Sequence, residues 1–271
     1  MCGRYEQVVR TRAERPDTMI GRRNCFLSGH GNCGGKISGE HYISKTLLEA
    51  ISADGTVQIG GLPWQPQQTL QKIGIGSLVS NVLCETHNSG LSSLDDVAGK
   101  FFRAVDAADK RPASLPAITR VAGPLIERWF LKVICGMAAA VGFNNGTVPA
   151  AWGQLLTGGQ WPEGWGLYVP IPSGSQVLAT EFYVETLVAP NTREVRAAKF
   201  RVAGVHFTLL LGRPDTPAAW GNHRPRGLIF QDGTREKRVE LMWPFKTELA
   251  VIYTKVGVGS TGAPQWDGWK E

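Results

Sequence analysis

The chain has 271 residues, of which 42% are hydrophobic and 19% charged. That composition excludes a disordered or low-complexity chain and leaves room for one large domain or two ordinary ones. The formal charge of +6 is a mild basic excess that suits a nucleic-acid partner without requiring one. No apolar run reaches the length of a membrane span. The opening stretch "MCGRYEQVVRTRAERPDT" has no apolar core after its arginines, so it does not read as a secretory signal. The expectation is an intracellular, cytoplasmic protein with no membrane association.

Residues 1–20 read as a loose tail, and residues 21–106 as one small, Gly-rich module carrying most of the Cys and His residues. Two helices are expected inside it. One covers about Ser44–Ile51. The other starts near Ser93, with Asp95 and Asp96 in a first turn that favours acids. Between them, "VQIGGLPWQPQQTL" is punctuated by Gly and Pro and reads as a loop or hairpin. Residues 107–160 form a helical linker region. Its part from 111 to 123 reads as a connection. In "PLIERWFLKVICGMAAAV", Ile126, Trp129, Phe130, Val133, Ile134 and Met137 recur at helical spacing, so an amphipathic helix with a broad buried face is expected there. Residues 161–271 are rich in β-branched and aromatic segments separated by turn signals, which predicts a mostly antiparallel β-rich domain. Cys135 and His206 read as core residues, and His223 as a loop residue. The fold class expected is α+β.

Five cysteines is an odd number, and in a reducing compartment a clustered set points to metal rather than to disulfides. Cys25 and Cys33 lie in "NCFLSGHGNCGG", and Cys84 and His87 in "VLCETHNSG". Four ligands of this type suit tetrahedral zinc. The C-x-x-H knuckle is a good ligand spacing. The seven-residue gap between the first two cysteines is looser than usual, and His30 within it is an alternative ligand. Glu40 and His41 sit side by side in "GEHYIS". An imidazole titrates near neutrality and suits a general base. A carboxylate such as Glu40 and an amide such as Asn88 offer the oxygen atoms a hard cation prefers. Adjacent strand residues point to opposite faces, so Glu40 and His41 can share a site only at a bend or helix start, and that is the expected placement.

In their order, "CFLSGHGNCGGKISGEHYIS" and "VLCETHNSGLSSLD" resemble the HNH, or ββα-metal, endonucleases, most closely the subset with a treble-clef zinc site. The resemblance spans Gly21–Asp106, about a third of the chain. It implies structural zinc on Cys25, Cys33, Cys84 and His87. It implies His41 as general base, and Glu40 and Asn88 as ligands of a catalytic divalent ion, Mg²⁺ or a similar metal. Asp95 is a further candidate oxygen ligand. The proline often found after the histidine is absent from "EHYISK", and the helix expected from Ser93 carries no second histidine. The expected activity is metal-dependent hydrolysis of phosphodiester bonds, with DNA as substrate. The alternative is a catalytically degenerate, zinc-stabilised module that binds nucleic acid or protein. The β-rich domain would then set target choice, or dock a protein partner or ligand.

Overall fold

In a computed structural model of the chain, the residues described are 25–255 except 53, 67, 111–116, 171–180, 190, 203–204, 213–216, 218–221, 233–234 and 245–248. The tail expected over 1–20 lies outside them, as does the first half of the connection expected over 111–123.

Strand β1 (Ile37–His41) is followed by helix α1 (Lys45–Ile51), which starts at Ser44 as the sequence suggests. The Gly- and Pro-punctuated stretch forms a hairpin of β2 (Thr56–Gly60) and β3 (Leu70–Gly74). Strand β4 (Val79–Cys84) then returns antiparallel to β1 and passes directly into α2 (Glu85–Lys110). The helix therefore begins at Glu85 rather than near Ser93, and Asp95 and Asp96 lie in its interior. The free N–H groups of its first turn are met by tertiary partners. Glu85 donates to the Lys36 carbonyl, Thr86 to the Gly34 carbonyl, and His87 to Cys84 Sγ. With those donors satisfied, the helix needs no serine cap to begin.

The second half of the expected connection is itself a strand, β5 (Ala117–Ala122). Helix α3 (Gly123–Val141) follows, with Pro124 in its first turn and a left-handed Gly142 closing it. Helix α4 (Ala150–Leu156) precedes strands β6 (Gly166–Pro170), β7 (Glu181–Val188), β8 (Val195–Val202), β9 (Val205–Leu210), β10 (Asn222–Asp232), β11 (Arg235–Met242) and β12 (Leu249–Lys255). Val202 pairs with Val205, so β8 and β9 form an antiparallel pair. His223 belongs to β10 rather than to a loop, and His206 is half-buried rather than a core residue.

The fold is mixed α+β, with a two-stranded β1–β4 sheet beside a ten-stranded sheet ordered β3-β2-β7-β8-β9-β6-β10-β11-β5, and β12 pairing β10. Most pairings are antiparallel, but β2–β7, β5–β11 and β10–β12 are parallel. Two of these parallel pairs cross the expected boundaries at 106 and 161. The β2–β3 hairpin extends the sheet beyond β7, and β5 extends it beyond β11. Parallel neighbours need long connections, and here helices α2 and α3 lie within those connections.

Helix α3 runs through the core. Its expected apolar face is buried in full, and so are Glu127 and Lys132 on either edge of that face. Phe130 packs at 4.7 Å on Phe200 of β8 and at 5.0 Å on Phe207 of β9, measured between ring centroids. Phe102 of α2 lies 5.3 Å from Trp129, and Phe101 lies 6.2 Å from Phe207. The aromatic core thus joins α2, α3 and the large sheet. Each such pair contributes roughly 0.5–1.5 kcal/mol beyond its burial. Cys135 is buried in this core, which pushes its thiol well above the usual range. Among the described residues, no helix is long and apolar enough to cross a membrane.

Candidate metal centre and the adjoining Glu40–His41 strand

Cys25, Cys33, Cys84 and His87 converge. Their four ligand atoms all lie within 4.8 Å of one another. His87 Nδ1 is 3.2 Å from Cys25 Sγ, 3.5 Å from Cys33 Sγ and 3.3 Å from Cys84 Sγ. A tetrahedral zinc ion with its usual bond lengths would hold sulfur and nitrogen ligands about 3.5 Å apart. The cluster could therefore hold a metal ion, and its soft donors and spacing are compatible with structural zinc.

Local structure explains the convergence. Cys84 ends β4 and His87 lies in the first turn of α2, so the knuckle is a strand-to-helix junction. The seven-residue spacer that looked loose is drawn in by a 3-10 turn at Ser28–His30, followed by Gly31 and Asn32 in the left-handed region (φ 76° and 55°). Those are residue types that reach this region at low cost. His30 does not join the cluster. Its ring packs against Gly153 of α4, where any Cβ would meet it at 2.1 Å.

The thiols are unequal. Burial alone would raise Cys84. The backbone N–H groups of His87 and Gly34, with bonds from Cys25 and Cys33, outweigh it and lower that thiol to about 6. Burial, followed by hydrogen bonding and charge from Cys25 and then Cys84, pushes Cys33 up to about 12. Metal binding at such a cluster displaces the protons of its thiols.

Glu40 and His41 are the last two residues of β1, beyond an irregularity in register between Ser38 and Glu40. The strand ends three residues before the helix, and the two side chains engage different neighbours. Glu40 Oε1 accepts a hydrogen bond of 2.5 Å from Lys132 Nζ of α3. The same ammonium donates to Asp95 Oδ2 of α2. Lys132 is 4% exposed and its two acceptors are half-buried, so this ion triad joins β1, α2 and α3 around a buried ammonium. Gly136, one turn along α3, allows the approach. A Cβ there would stand 2.8 Å from Cβ of Tyr42, the residue after His41.

His41 instead bonds the backbone at Ile75, and its Nε2 is buried with no partner. Burial lowers its pKa. The Glu40 carboxylate opposes that shift, and the Lys45 ammonium reinforces it. Asn88 Nδ2 donates to Ser38 Oγ at 3.1 Å, fastening the start of α2 to β1 two residues before Glu40. Among the described residues, the cysteine–histidine cluster is the group that gathers three or more His, Cys, Asp or Glu ligand atoms. Glu40, His41 and Asp95 do not form a second one.

Sequence reasoning had no role for Lys132. The available signal was its position, with Glu127, at the edge of an apolar helical face, where a charge is either snorkelling or paired in the interior. The molecule is thus a mixed α+β protein with a Cys3His cluster that could hold a metal ion at a strand-to-helix junction. No family model matches the chain, and neither a curated protein nor a solved structure does.

Proposed function

We propose that the chain is a metal-dependent endonuclease of the HNH type, acting on nucleic acid with DNA as the expected substrate. One observation carries this reading. Strand β1 pairs antiparallel with β4, β4 passes directly into α2, the Cys3His cluster lies at that junction, and Glu40–His41 closes β1. A strand–strand–helix unit of this kind supports the resemblance seen in the motifs.

In this reading structural zinc on Cys25, Cys33, Cys84 and His87 fixes the angle between β4 and α2. His41, kept neutral by burial, offers Nε2 to take a proton from the attacking water. Glu40 and Asn88 provide oxygen donors suited to a hard cation, and Asp95 provides a third. The Glu40 carboxylate is already paired with the Lys132 ammonium, which a divalent ion would have to displace. A divalent ion bound there supplies charge stabilisation at the phosphate and the leaving oxygen.

Nicking of supercoiled plasmid in Mg²⁺ or Mn²⁺ tests the reading. His41→Ala should lower the rate about a hundredfold or more with zinc content unchanged. A second reading, a zinc-stabilised binding module without turnover, is favoured by the Lys132 charge on Glu40. Retained DNA binding with no nicking in any divalent metal selects it.

A further inference from the structure

Lys132 is the one member of the triad that comes from outside the motif-bearing stretch. A buried ammonium is costly unless acceptors hold it. Lys132 has two, Glu40 from β1 and Asp95 from α2, whose side chains are 12% and 23% exposed. Two carboxylates facing one ammonium leave a net negative charge in a largely enclosed place. The triad is also incompletely satisfied, since Asp95 Oδ1 is buried with no hydrogen-bond partner. A buried carboxylate oxygen left bare costs free energy that an additional cation would recover.

We propose that Lys132 is the built-in counter-cation of the candidate catalytic site. It holds Glu40 and Asp95 in the resting protein and competes with the divalent ion for them. This rests on the reading of Glu40 as a ligand of that ion. Lys132 is a positioning residue here: it touches no reacting atom, and it sets how tightly the site takes up metal. A purely structural brace would act with the opposite sign, because its removal would let Glu40 and Asp95 drift apart and weaken any cation site.

The test is Mn²⁺ binding by the zinc-loaded full chain, measured by calorimetry without nucleic acid. Lys132→Met should bind one Mn²⁺ on the order of tenfold more tightly than wild type, since a unit positive charge beside the ion is gone. Adding Asp95→Asn to Lys132→Met should remove the gain. Equal or weaker Mn²⁺ binding by Lys132→Met overturns the proposal. If that variant does not fold, the wild-type protein decides. The ¹⁵N resonance of Lys132 Nζ should shift as Mg²⁺ is added, and the shift should be lost in Glu40→Gln. A resonance unmoved at every Mg²⁺ concentration overturns the proposal. Plasmid nicking separates the two ideas. Nicking by wild type with unaltered Mn²⁺ affinity in Lys132→Met sinks the Lys132 role alone. Tighter Mn²⁺ binding with no nicking by either protein sinks the nuclease reading alone.

Discussion

Two clusters of charged or ionisable ligands lie on the same strand–strand–helix unit, and they are completed differently. At the cysteine–histidine cluster all four donors come from residues 25–87 and converge on one point. At Glu40 the donors come from β1 and α2, but the cation facing them is Lys132 of α3. The first arrangement could hold a metal ion. The second is paired with the Lys132 ammonium. The contrast shows that the charge balance around residues singled out by a local motif can be set by a distant segment.

The largest expected effect separates the two clusters by stability. Cys84→Ser, or stripping metal with a strong chelator, should lower unfolding free energy on the order of 5 kcal/mol or more, since metal binding to such a site is folding free energy. Elemental analysis should find one zinc per wild-type chain and less in the variant. A fully stable, metal-free protein would break the comparison at its first half.

Breaking the second cluster from one side comes next. Lys132→Ala should cost about 3–5 kcal/mol in urea unfolding, because two carboxylates lose their counter-charge. Replacing the whole triad, with Lys132→Met, Glu40→Gln and Asp95→Asn together, should recover most of that loss. If the triple variant is as unstable as Lys132→Ala, geometry rather than charge holds the three elements together.

His41→Ala sharpens the division of labour. It should leave zinc content unaltered while reducing nicking about a hundredfold or more. Equal loss of zinc and activity would mean that His41 supports the fold instead. The smallest effect is expected at the seam between the clusters. Asn88→Ala removes the bond to Ser38 and should cost about 1 kcal/mol in unfolding. If Asn88 also serves as a cation ligand, Mn²⁺ binding should weaken by more than that stability change accounts for.

Much of the site was legible because its signals are local. A C-x-x-H knuckle, a Cys pair and an acid–His dipeptide name their chemistry through residue type and short spacing. The four soft ligands do come together. The α3 face was legible for the same reason, since Ile126, Trp129, Phe130, Val133, Ile134 and Met137 follow helical periodicity and are all buried. The start of α2 was not, because its caps are the carbonyls of Lys36 and Gly34 and a cysteine sulfur from the preceding strand. No single-stretch capping signal encodes such partners. The strand β5 was missed because its partner, β11, lies more than a hundred residues further along the chain. The separation expected at 106 and 161 gave no hint that β2 would pair with β7.

By itself, then, the sequence determined the donor chemistry: three thiols and an imidazole for a soft ion, and an acid beside a histidine. It also determined the helix that fills the core, because periodicity and burial are properties of neighbouring residues. Only the tertiary structure decided that Glu40 meets Lys132 and Asp95, that His41 turns toward Ile75, and that the sheet takes strands from both ends of the described chain. Those outcomes depend on which buried charges find partners once distant segments pack. That is a condition of the whole core, which no local pattern can express.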